Sequence, residues 1–198
     1  GFSTHSVTTN GSSASWTPKN ERLPALDART TIGLAFELQV LGEARAREDR
    51  AGFTLVLLDQ FLNGIELNFW TDVIWAQRSD HAGAAEQVDF ETGKELARYE
   101  VGIFAHDYGL WANGSRVLWG PLRQFAADAL LPGLHGTASM IYLGDASADA
   151  ASSYLLGDVM LAPGLFLPTP SPGTTALLLT GLCLVLFATG YRRRHLGA

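Results

Sequence analysis

Leu34-Ala35-Phe36-Glu37-Leu38-Gln39-Val40 is the stretch on which the fold class turns. Leu34, Phe36, Leu38 and Val40 fall on one side of an extended chain and Glu37 and Gln39 on the other. Successive side chains of a strand point to opposite faces, so this period of two marks a strand buried on one side. Working outward, Phe53-Thr54-Leu55-Val56-Leu57-Leu58 is nearly continuous and rich in strand formers, as in a central strand. Ile65-Glu66-Leu67-Asn68-Phe69-Trp70 alternates again, and 73–77 follows after Thr71-Asp72. Asn63-Gly64 is expected to turn the chain between the second and third runs, because both residues tolerate positive φ.

Further strands are expected over 99–104, 108–112, 116–119, 138–143 and 154–161, with Asn113-Gly114 as the strongest hairpin turn. Helical turns are expected only at 43–50 and 125–131, and both are short. Many short strands at this spacing predict an all-β fold, an antiparallel jelly-roll sandwich over 31–162. Residues 1–30, rich in Ser, Thr, Asn and Gly at the start, are expected to be a flexible N-terminal segment.

The tail has a different character. Pro163, Pro168, Pro170 and Pro172 with Gly164 and Gly173 make 163–173 a semi-rigid spacer. From Thr174 to Tyr191 no residue is charged, and a helix over this run would cover roughly 27 Å at about 1.5 Å per residue, enough to span hydrocarbon. Arg192, Arg193 and Arg194 follow, and positive segments stay on the cytoplasmic side. The expected order is therefore domain outside, single transmembrane helix across, arginines inside, with 174–198 as the anchor. The first residues carry no basic and apolar leader, so an export leader is expected upstream.

The block FLPTPSPGTTALLLTGLCLVLFATGYRRRHLGA resembles a PEP-CTERM sorting signal, which combines a short Pro motif, one hydrophobic helix and a basic C-terminal cluster. The resemblance implies recognition by an exosortase, a transpeptidase-like membrane enzyme, with cleavage near Pro168-Thr169-Pro170. Thr169 stands where the family usually carries Glu. The stretch before the tail resembles the concanavalin A-like, laminin-G-type jelly roll called choice-of-anchor, through Arg50-Ala51-Gly52-Phe53, the run 64–70, Ile74-Trp75-Ala76-Gln77 and Leu143-Gly144-Asp145. Together the likenesses imply a protein of the bacterial cell envelope, retained in the membrane or released to the surface after processing.

Charge and motifs narrow the function. Setting the three tail arginines aside, 14 Lys and Arg fall to 11 against 20 Asp and Glu, a net −9 that repels phosphate backbones, so no nucleic-acid partner is expected. Cys183, the single cysteine, lies in the apolar tail run. No catalytic residue is assigned: Glu66 lacks the second strand carboxylate that glycoside hydrolysis needs, and no GxSxG elbow occurs. No cofactor is expected. The five histidines show no HxH or HExxH spacing, so any zinc site would have to be assembled by the fold. Asp145 and Asp149 are the weak calcium candidates, as two loop oxygens short of an EF-hand pattern. Trp70 and Trp75, with Glu66 and Asn68 beside them, are the candidate glycan contacts if the rings face outward. The leading expectation is a non-enzymatic surface protein associated with exopolysaccharide or adhesion; a carbohydrate-binding module and a degenerate glycoside hydrolase are the alternatives.

Overall fold

The computed structural model describes residues 5–8, 15–16, 25–45, 47–125, 134–146 and 150–163. In chain order the strands are β1 His5–Thr8, β2 Ser15–Trp16, β3 Ile32–Arg45, β4 Thr54–Leu58, β5 Asn63–Phe69, β6 Val73–Gln77 and β7 Ala84–Asp89. They continue as β8 Ala97–Phe104, β9 Asp107–Ala112, β10 Ser115–Pro121, β11 Arg123–Gln124, β12 Ile141–Gly144 and β13 Ala150–Pro163. Sheet A runs β1-β13-β3-β8-β9-β10 and sheet B runs β2-β12-β4-β5-β6-β7, with β11 beside β5. All pairings are antiparallel. The all-β expectation for 31–162 is met by a jelly-roll-like sandwich of two sheets.

The core lies between the sheets, and the alternation in β3 accounts for it. Leu34, Phe36, Leu38 and Val40 are buried there with Leu55 and Leu57 of β4, Leu67 and Phe69 of β5, and Tyr99 and Val101 of β8. Phe36 stacks on Tyr99 at 5.4 Å and meets Phe69 edge-on at 5.9 Å, so its ring bridges the two sheets. Each such buried ring stabilises the fold by about 1.5–3 kcal/mol through area removed from water. Sheet A is held at its middle by β3, which pairs with β13 from Ile32↔Pro163 to Arg45↔Ala150 and with β8 on its other side.

Asn113-Gly114 forms the hairpin turn as read, with φ of 48° and 79°, between β9 and β10. Asn63-Gly64 does not turn the chain. Both lie inside β5, and the turn is built earlier, where the Asp59 carboxylate accepts from the Phe61 and Asn63 amides at 2.7 and 2.9 Å and Leu62 takes φ 64°. Gly64 is required for another reason: a Cβ there would lie 2.0 Å from the Leu57 carbonyl oxygen.

Two other expectations are corrected. Residues 43–45 continue β3 and 48–49 form a turn, so no helix starts at 43; pairing with β13 claims the backbone groups that a helix would use. Phe125 is not helical, and 126–131 lie outside the described residues. Strand β7 was not anticipated, since Val88 is its one large apolar residue packed on the core. Within 1–30, β1 and β2 join β13 and β12. None of the described residues forms a helix long and apolar enough to cross a membrane. The spacer beyond Pro163 and the candidate anchor, including Pro168, Thr169, Pro170 and Thr174 to Arg194, lie outside the described residues.

Candidate functional site

The face of sheet B that points away from the core carries the polar members of the alternating strands. Thr54 of β4, Glu66 and Asn68 of β5 and Gln77 of β6 are all buried, with Trp75 among them. They bond to one another. Asn68 accepts from the Thr54 hydroxyl at 2.8 Å and donates to Gln77 Oε1 at 3.0 Å and to Glu66 Oε1 at 3.4 Å; the Trp75 indole also donates to Gln77 Oε1, at 3.2 Å. Buried polar groups need such partners, since each unmade bond costs about 1–3 kcal/mol.

Loops cover this face. Val56, Leu58, Tyr142 and Leu134 form a second apolar cluster on it, against which Phe125 and Met140 pack. Over Glu66 lie two imidazoles. His135 Nε2 is 2.8 Å from Glu66 Oε2, and His81 Nδ1 is 3.9 Å from the same oxygen. The two rings are 4.7 Å apart, and Phe125 flanks both, at 5.7 Å from His81 and 4.9 Å from His135. His81 sits in the left-handed region at φ 58°, on the turn between β6 and β7 that is closed by the Arg78 amide donating to Gly83 O at 3.0 Å. Sequence spacing concealed this cluster because its members are contributed by a strand and two separate loops.

The candidate glycan contacts are therefore placed differently from an open platform. Trp75 is 2% exposed and Asn68 0%, so a sugar ring cannot stack on the one or reach the other. Trp70 stands edge-on to Trp75 at 4.5 Å, donates its indole N–H to Arg50 O at 3.0 Å and is roofed by the Arg45 guanidinium 3.7 Å above its ring. Burial pulls that guanidinium down, but Glu43 and Asp72, both bonded to it, outweigh the effect and raise it. Of the calcium candidates, Asp145 is fully buried at the end of β12, with its carbonyl oxygen taking the Tyr142 hydroxyl, and Asp149 lies outside the described residues. In place of a second carboxylate, Glu66 meets imidazoles.

The aromatic surface is on the other sheet. Phe104 of β8, Trp111 of β9 and Trp119 of β10 lie together on the outer face of sheet A, with Trp119 42% exposed. Phe104 and Trp119 stack at 5.8 Å and 14°, and Phe104 meets Trp111 edge-on at 6.1 Å. Their floor is glycine: a Cβ on Gly109 would strike the Trp111 ring at 2.4 Å and the Trp119 ring at 2.9 Å. Arg116 lies over Trp119 at 5.6 Å, a cation above the ring face.

No family model and no curated protein matches the chain. Among solved structures it is similar to the cellulose-induced protein Cip1, at 13% identity and TM-score 0.42 over 67% of each chain. It is also similar to alginate lyase AlyC3 in complex with dimannuronate, at 7% identity and TM-score 0.48 over 83% of this chain and 75% of that one. Alginate lyase A1-II', of polysaccharide lyase family 7, gives 10% identity and TM-score 0.43 over 82% and 80%. These likenesses concern the arrangement of strands in a two-sheet sandwich and nothing finer.

Proposed function

We propose that this chain is a non-enzymatic surface protein of the bacterial envelope whose sandwich holds polysaccharide on the outer face of sheet A. The observation that carries the reading is Trp119, 42% exposed and stacked on half-buried Phe104 at 5.8 Å over the Gly109 floor, with half-buried Trp111 beside them. Such rings bury well against the apolar faces of sugars, and Arg116 and Asp107 beside them in the register supply hydrogen bonds to hydroxyls.

Display outside the cell rests on the sequence of the tail. The uncharged run 174–191 and Arg192 to Arg194 support a membrane helix, and the tripartite layout with Pro168-Thr169-Pro170 supports sorting by an exosortase-type enzyme. Membrane and processing enzyme are thus its partners, with polysaccharide as the ligand.

Affinity electrophoresis of the full chain through gels cast with alginate, cellulose derivatives and host exopolysaccharide tests the ligand. Retardation in at least one gel, lost in Trp119→Ala and retained in Trp75→Phe, is the expected result. Equal mobility of the wild type in every gel overturns the binding reading. Mass spectrometry of the mature protein from its host tests sorting: an intact, detergent-free soluble chain ending at Ala198 would sink it.

A further inference from the structure

We propose that Glu66, His81 and His135 form a binding site for a divalent first-row transition ion, zinc foremost. One ligand atom from each residue lies within 4.8 Å of the others. Their side chains are 5%, 10% and 3% exposed, so this is an enclosed pocket rather than a surface grouping. It is separate from the aromatic platform, which is on the other sheet.

Two observations separate the site from an ordinary buried hydrogen bond. The first is composition. Two imidazoles and one carboxylate are the ligand set of open zinc sites, in which three protein groups leave a fourth position for water. The same set suits other transition ions, whereas calcium and magnesium select oxygen ligands alone.

The second is geometry. Bonds of about 2.0–2.2 Å in a tetrahedron set ligand atoms roughly 3.3–3.5 Å apart. The spacings of 2.8 Å from His135 to Glu66 and 3.9 Å from His81 to Glu66 bracket that value. The three ligand atoms lie within 4.8 Å of one another, so accommodating an ion needs the turn bearing His81 to close by up to about an ångström.

The surroundings are those of a metal pocket. Asn68 holds Glu66 Oε1 at 3.4 Å and is itself fixed by Thr54 and Gln77, which leaves Oε2 aimed at both imidazoles. Such outer partners orient the ligands. Phe125 closes one side with an apolar ring, and a carboxylate enclosed beside two imidazoles offers its ligand atoms to one point.

The full-length chain, stripped with EDTA, should bind one equivalent of Zn²⁺ in a calorimetric titration. Co²⁺ should give the visible absorption of a low-coordinate complex, which Zn²⁺ bleaches. His81→Ala, the least buried member, should weaken Zn²⁺ binding by about 100-fold or more, beyond the about 10–100-fold that outer partners carry. Wild-type binding that His81→Ala leaves unchanged would assign the ion to His5, His106 or His195 and overturn the proposal, as would the absence of saturable binding. Should His81→Ala fail to fold, NMR of the wild type's imidazole resonances decides. Zn²⁺ must shift the His81 and His135 ring signals and leave His106 unmoved; ring signals of both that stay in place on adding Zn²⁺ overturn the site.

Discussion

The outer faces of the two sheets begin from the same kind of sequence and end as opposites. In sheet B, Glu66, Asn68, Trp75 and Gln77 alternate with core residues, as Glu100, Trp111 and Trp119 do in sheet A. Sheet B then receives the loops carrying His81 and His135, and its outer face becomes a second interior with its own apolar cluster. Sheet A receives neither of these loops, and Trp119 remains exposed there beside half-buried Trp111. A period of two tells which side of a strand turns from the core. Whether water is on that side depends on connecting segments elsewhere in the chain.

If sheet B's outer face is an interior, removing its largest side chain should be severe. Trp75→Ala is expected to cost about 3–5 kcal/mol in urea unfolding, the range for deleting a buried aromatic. A loss under about 1 kcal/mol would mean that the loops cover the face without packing on it. Gly64→Ala, on the strand that bears Glu66, drives a methyl to 2.0 Å from the Leu57 carbonyl and should cost about 1–3 kcal/mol. Gly42, where a Cβ would meet nothing within 4 Å, serves as its control, and Gly42→Ala should be neutral or stabilising by up to about 1 kcal/mol.

The layer between the sheets supplies a pH test. Burial, with the Asp145 charge adding to it, pushes the Tyr154 phenol up from 10.0 to about 12. Its stabilising share is complete below pH 10 and is lost as the pH rises from 10 to about 12, because the unfolded phenol ionises first. Tyr154→Phe should flatten the fall in melting temperature over that window, and an unchanged alkaline profile would refute the assignment. The smallest stability effect belongs to the open face: Trp119→Ala should stay within about 0.5 kcal/mol of wild type while abolishing gel retardation. A large destabilisation there would make the platform structural and erase the contrast between the faces.

Most of the sandwich was legible because burial on one face leaves a regular imprint. Leu34 to Val40 and the Asn113-Gly114 turn needed no tertiary information. Strand β7 lacked that imprint since, as an edge, it buries little beyond Val88. The Asp59 turn was hidden because a single carboxylate capping two amides leaves no dipeptide signature, whereas Asn63-Gly64 imitates one. The Glu66, His81 and His135 grouping could not be read from spacing at all. Its three members come together only when the turn after β6 and the segment before β12 close over β5.

The pairing of β3 with β13 has a consequence in time. The strand that carries the core alternation at 34–40 finds one of its two neighbours only in the last described segment, 150–163. Until that segment emerges from the ribosome, one side of β3 offers an unsatisfied row of backbone donors and acceptors, the kind of edge that invites aggregation. Sheet A can therefore close only once 150–163 is available to β3, at the slow rates typical of topologies built from distant contacts.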